Sequence, residues 1–172
     1  MAKLSIATYV ENGYGQVEPN HLSAQRNGQI YAQLPAADDI EMLENGQFVK
    51  YDVANGEVNF TGAGEWMLVY NEEKNYDERK TRKDFALKAS DAVRGIITPR
   101  VFKTSVGDIY TTNFLGDAEY KEGDKLTIKG KGIPTKEGEA TEGEATEGMI
   151  WQVGKIYTMP DGQKGIKLVR IQ

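Results

Sequence analysis

Asn-Gly pairs punctuate the start of this chain: Asn12-Gly13, Asn27-Gly28, Asn45-Gly46 and Asn55-Gly56 all fall within the first 56 residues. Both residue types tolerate positive φ, the conformation that tight hairpin loops demand. A stretch cut this often has no room for a long helix and folds through short strands. The runs between the turns suit that role. "LSIATYV", "QIYAQLP", "QFVKYDV" and "EVNF" alternate, or are rich in β-branched and aromatic residues. The sharpest hairpin is "QFVKYDVANGEVNF": Phe48, Val49, Tyr51 and Val53 precede the Asn55-Gly56 turn, and Val58 and Phe60 follow it. "EWMLVYNEE" then reads as a strand closing this half.

From Gly95 onward the strand signals resume in "GIITPRVFKTSV", "GDIYTTNFL", "KLTIKG", "MIWQVGKIYTM" and "GIKLVRIQ". Gly107-Asp108, "EGD" at Glu122–Asp124 and Asp161-Gly162 supply the turns. Between the halves lies "NEEKNYDERKTRKDFALKASDA", too sparse in apolar residues for an amphipathic helix. Glu78 and Arg82 attract at i, i+4 whereas Glu73 and Asp77 repel, so the segment reads as a linker with at most a short helix. The expected fold is therefore mainly β: two small antiparallel β-barrel or sandwich units with an extended N-terminal arm and a charged linker. The boundaries are 1–37 for the arm, 38–72 for the first β unit, 73–94 for the linker and 95–172 for the second β unit.

The arm is set apart by what it lacks. Its tyrosines Tyr9, Tyr14 and Tyr31 sit among Gln and Asn with little aliphatic density, so it can add an edge strand but cannot build a core alone. Tyrosine combines apolar area with a hydrogen-bonding tip, which suits an interface. The three rings either meet a partner or pack on the chain's own β units.

Within the second unit, "EGEAT" occurs twice in tandem, at Glu137–Thr141 and Glu142–Thr146. The glutamates repel one another and the recurring glycines disfavour a helix, so 136–148 reads as a lengthened acidic surface loop. A calcium site there lacks the D-x-[DN]-x-[DN]-G spacing.

Composition removes most chemistry. Cysteine is absent and His21 is the single histidine, which leaves neither a thiol nucleophile nor a zinc ligand set. His21, in the polar run "VEPNHLSAQ", reads as a surface or contact residue. "GKGIPTKEG" at 130–138 lacks the order of a phosphate loop and reads as a strand-to-loop exit. Asp38, Asp39, Glu41 and Glu44 are the one carboxylate cluster, and neighbours before a turn rarely face each other across a cleft. No catalytic, cofactor or metal site is expected. The basic residues of 71–103 are interrupted by acids in a chain of net charge −5, which argues against nucleic acid. No run is apolar and long enough to span a membrane, and nothing resembles an export signal. Trp66 and Trp151 lie in apolar strand runs and are expected in the core.

The arm "AKLSIATYVENGYGQVEPNHLSAQRNGQIYAQLP", the stretch "MLENGQFVKYD", and the later "RVFKTSVGDIYTTNF" and "YKEGDKLTIKGKG" together resemble the small structural proteins of tailed bacteriophages. These are the decoration or cement proteins and head-fibre base proteins that coat the capsid. The resemblance implies a non-enzymatic virion protein, synthesised in the host cytoplasm and carried on the capsid surface. Its partner would be the major capsid protein, with copies of itself or a head fibre as further neighbours. The contact residues singled out in the arm are Tyr9, Tyr14, His21 and Tyr31. The alternative from another class is a β-barrel module binding a glycan or cell-surface polymer, with Trp66 or Trp151 lining a groove.

Overall fold

A computed structural model describes residues 10, 14–26, 34–71, 86–137, 148–159 and 162–172. Among them the strands are β1 (Val17–His21), β2 (Met42–Glu44), β3 (Phe48–Asp52), β4 (Glu57–Asn59), β5 (Trp66–Val69), β6 (Ala86–Lys88), β7 (Val101–Phe102), β8 (Ile109–Thr112), β9 (Lys125–Lys129), β10 (Ile133–Lys136), β11 (Ile150–Thr158) and β12 (Lys164–Arg170). One helical turn, α1 (Ser23–Arg26), follows β1. The chain is mainly β, as its turn chemistry requires, and the strands form a six-stranded sheet β1-β8-β12-β11-β9-β10, a four-stranded sheet β4-β3-β5-β7 and the pair β2-β6. Neighbouring strands run antiparallel throughout.

The Asn55-Gly56 hairpin forms as the sequence predicts. Tyr51 faces Val58 across β3 and β4, Gly56 takes φ 67°, and the Asp52 carboxylate accepts from the amides of Ala54 and Asn55. Asn45-Gly46 makes a different turn. It is a corner that sends β2 to one sheet and β3 to another.

Adjacent residues of the four-stranded sheet enter different cores. Phe48 and Leu68 pack with Tyr110, Leu126, Trp151 and Leu168 of the six-stranded sheet. Val49, Met67 and Val69 point the other way, into a second core with Ile40, Leu43, Val58 and Val101. Side chains alternate across a strand, so a sheet with consecutive apolar residues is covered on both faces. The four-stranded sheet is thus a shared wall between two cores.

At its centre Phe48 meets Tyr110 and Trp151 at ring-centroid distances of 6.4 and 6.0 Å, and Tyr110 stands edge-on to Trp151 at 4.9 Å. Backbone contacts join the same layers. The Phe48 amide donates to the Gly132 carbonyl at 2.9 Å and the Gln47 side-chain amide donates to the Lys131 carbonyl at 2.8 Å.

The expected boundaries are redrawn in three places. First, residues 14–26 of the 1–37 arm belong to the fold. β1 pairs with β8, Leu22 is 2% exposed in the first core, and the Ser23 amide and hydroxyl both donate to the buried Asp108 carboxylate. Upstream, the Gly15 amide donates to Glu44 and the Gln16 amide to Asn113. Hydrogen bonding supplies what the arm lacks in aliphatic side chains.

Second, Ala86–Lys88 of the 73–94 linker is a strand paired to β2, followed by 3-10 turns at Ala89–Asp91 and Val93–Gly95. Residues 73–85 of the expected linker lie outside the described residues. Third, β7 falls within the expected second unit but pairs with β5 of the first. This leaves β5 interior to its sheet, where a closing strand was expected.

The expected mainly β architecture of antiparallel sheets forms, and the six-stranded and four-stranded sheets share a core. The run 130–138 contains a strand, β10, which pairs with β9 and places Pro134 on the sheet edge, where its missing amide leaves no ladder position empty. The tandem repeat therefore joins β10 to β11. Both strands are antiparallel to β9, which lies between them, so the connection is a crossover. Residues 138–147 of it lie outside the described residues.

Candidate functional site

Of the contact residues expected in the arm, Tyr14 and His21 are described, and Tyr9 and Tyr31 lie outside the described residues. Tyr14 is half-buried. Its carbonyl accepts from the Asn113 side chain at 3.3 Å, and Lys88 Nζ lies 4.4 Å from its ring centroid. That ring meets the chain's own fold. His21 ends β1 opposite Ile109 and is half-buried. Between them β1 exposes Asn20 and leaves Glu18 half-buried, where it accepts a hydrogen bond from the Tyr157 hydroxyl. Desolvation, then the hydrogen bond to Glu18, raises the Tyr157 phenol above its ordinary value.

The carboxylates of "AADDIEMLENG" separate. Asp38, Asp39 and Glu41 are exposed around a turn closed by the Ile40 amide on the Ala37 carbonyl, while Glu44 is fully buried. The two tryptophans separate as well. Trp151 is fully buried in the aromatic centre, whereas Trp66 is half-buried at the edge of that core.

Trp66 opens onto a cavity of about 750 Å³ between the β3–β5 sheet and the β9–β10 turn. Lys50, Asn59 and Phe60 share its first wall, with Lys50 Nζ 4.7 Å from the Trp66 ring centroid. Thr127, Lys129 and Lys131 form the opposite wall, and Asp39 and Glu57 complete the rim. The volume lies within the roughly 300–1,000 Å³ range of small-molecule sites.

Thr127 and Lys129 project from the face of β9 opposite Leu126 and Ile128, and Thr127 Oγ1 and Lys129 Nζ are buried without a hydrogen-bond partner among the described residues. A buried polar group without a partner costs about 1–3 kcal/mol, and more when charged. In "KLTIK" the polar residues alternate with Leu126 and Ile128, and it is the Leu126–Ile128 face that meets the four-stranded sheet.

A second unpaired pair lies in the aromatic centre, where Tyr110 OH and Trp151 Nε1 are buried without partners among the described residues. Burial pushes the Tyr110 phenol far above its ordinary value of 10. Among the described residues no group of three or more His, Asp or Glu side chains is arranged to hold a metal ion. No helix among them is long and apolar enough to cross a membrane. No family model, curated protein or solved structure matches this chain.

Proposed function

We propose that this chain is a non-enzymatic structural protein of a tailed-bacteriophage virion, binding the outer surface of the capsid as decoration, cement or head-fibre anchor. The partner is the major capsid protein, with further copies of the chain or a head fibre beside it. Neither nucleic acid nor membrane takes part. The protein is made in the host cytoplasm and ends on the capsid surface.

The observation that supports this reading most is the character of the six-stranded sheet's two edges. β1 carries Pro19 and β10 carries Pro134. Proline removes a ladder donor, and natural sheets use it to stop edge-to-edge growth. A protein that occupies discrete positions on a repeating shell needs edges that do not polymerise. A partner meeting the β1 edge would touch side chains, among them Asn20 and His21, with the segment before Tyr14 leading onto it.

The test follows from the redrawn arm. Removing residues 1–34 takes away β1 and Leu22 and so damages the fold, which makes that truncation uninformative. The informative variants are a deletion of 1–9 and the double substitution Tyr14→Ala/His21→Ala. Each is mixed with capsids lacking the native protein and pelleted. Loss of co-sedimentation with unchanged melting supports the reading, and full co-sedimentation of both variants removes the N-terminal segment from it.

One observation favours the alternative, a β module that binds a glycan or cell-surface polymer. Trp66 lines a cavity together with Phe60 and several polar groups. A virion surface protein can carry such a site, so the two readings do not exclude one another.

A further inference from the structure

We infer that the outer face of the six-stranded sheet docks a protein surface on which aliphatic side chains are bordered by carboxylates. The inference rests on the virion reading above and names the face that meets the shell and the chemistry it selects.

One face of this sheet is taken up by the first core, through Tyr110, Leu126, Trp151 and Leu168. Side chains alternate along a strand, so their neighbours Ile109, Ile150 and Val169 project from the other face, and neither core includes them. Register brings them together. Val169 stands opposite Ile109 across β12 and β8, and Ile171, 38% exposed, donates its amide to the Ile150 carbonyl at 2.9 Å. The strand residues of this group are half-exposed. The row runs on to the β1 edge, where His21 stands opposite Ile109. The other end of the face is closed by the chain itself, with Met159 against Gly165 and both buried.

The charges on the outer face are lopsided. Lys125 stands opposite Gln152, which stands opposite Val169, and one row further Lys155 and Lys167 stand opposite each other. None of these lysines makes an ion pair among the described residues. The carboxylate that shares the face, Glu18, is taken up by the Tyr157 hydroxyl. Like charges directly opposite destabilise a sheet, yet Lys155 faces Lys167 in a chain of net charge −5. A partner that sets Asp or Glu around its own aliphatic residues answers both the open patch and the unpaired lysines. A second copy offering the same face would bring lysine to lysine, so charge selects against it.

The experiment mixes the full-length protein with the same capsids lacking the native protein and follows co-sedimentation at rising salt. Lys155→Glu/Lys167→Glu reverses the exposed charges, and Ile109→Thr/Val169→Thr removes aliphatic surface while keeping β-branched residues. Binding of the unmutated protein should weaken with salt. Each double variant should bind about tenfold or more weaker, with a melting transition retained. Should the threonine variant fail to melt cooperatively, the lysine variant decides alone, because its side chains lie at the surface.

Full binding of the face variants overturns the inference, and the virion reading stands as long as the unmutated protein binds. No binding of the unmutated protein overturns both. Binding that ignores salt overturns the acidic character of the partner. A dimer of the protein alone that Ile109→Thr/Val169→Thr dissolves in sedimentation equilibrium gives the face to a second copy and overturns the inference.

Discussion

The Phe48 amide donates to the Gly132 carbonyl, and the Phe48 carbonyl lies so close to Gly132 Cα that a Cβ built there would sit 1.7 Å from its oxygen. Gly132 also holds φ at 73°. The four-stranded sheet thus meets the β9–β10 turn backbone to backbone, and that contact sets Phe48 against Tyr110 and Trp151.

Gly132→Ala should therefore be among the most damaging single substitutions in the chain. The left-handed strain and the displaced hydrogen bond together predict a loss of about 3 kcal/mol or more. Urea unfolding followed by tryptophan fluorescence measures it. A loss below about 0.5 kcal/mol, the scatter of ordinary surface changes, would mean that the two sheets do not meet at this point.

Leu22→Ala separates an arm held by its own fold from one held by another molecule. Leu22 is buried in the first core, and such truncations cost about 2–5 kcal/mol. That loss should appear in the isolated protein with no partner present. Unchanged unfolding would detach the N-terminal segment from the core.

Tyr110→Phe should stabilise the protein at neutral pH. It removes a buried hydroxyl that has no partner, worth about 1 kcal/mol or more. The same substitution should change the alkaline limb. The unfolded chain releases the phenol proton above about pH 10, whereas the folded chain retains it because burial raises Tyr110. This stability is fully present below pH 10 and falls as pH rises beyond it. Denaturant titrations from pH 8 to 11 should show a shallower decline for Tyr110→Phe than for the unmutated chain. A destabilised variant at pH 7 would show that the hydroxyl has a partner.

The tandem repeat permits a graded deletion. Removing 142–146 shortens the crossover from β10 to β11 by one copy, and closure entropy changes by well under about 1 kcal/mol. Removing 137–146 leaves only residues 147–149 to pass β9, a reach of about 10 Å fully extended, which the roughly 10 Å across two strand spacings uses up with nothing left to clear the β9 side chains. Thermal melting should be nearly unchanged in the first variant and collapsed in the second. Two equally stable variants would refute the β11-β9-β10 order.

Much of the fold was legible because local pattern and tertiary demand agree. β3 and β4 carry their hairpin in the Asn55-Gly56 turn, and β11 and β12 pair on either side of a connection that holds Gly162 at φ 86°. β1 was legible only as a segment able to add an edge strand, because "VEPNH" holds one aliphatic residue and a proline. Its strand identity comes from β8, through Val17 against Thr112 and side-chain bonds such as Thr111 to Asn20. β6 and β10 are equally borrowed from their partners.

The shared wall did leave a trace. "WMLV" and the Phe48-Val49 pair are continuous rather than alternating, the mark of a sheet buried on both faces. The cavity left none. Its walls come from segments as far apart as Lys50 and Lys131, which only the packing of the two sheets brings together.

The proposed virion role is tested most directly by cryo-electron microscopy of virus-like particles purified from cells that express this chain. The account predicts density on the outer face of the shell that fits the six-stranded sheet with its β1 edge toward the major capsid protein, repeated with the lattice. Particles whose outer surface holds no such density, with this chain absent from their protein content by mass spectrometry, would contradict it.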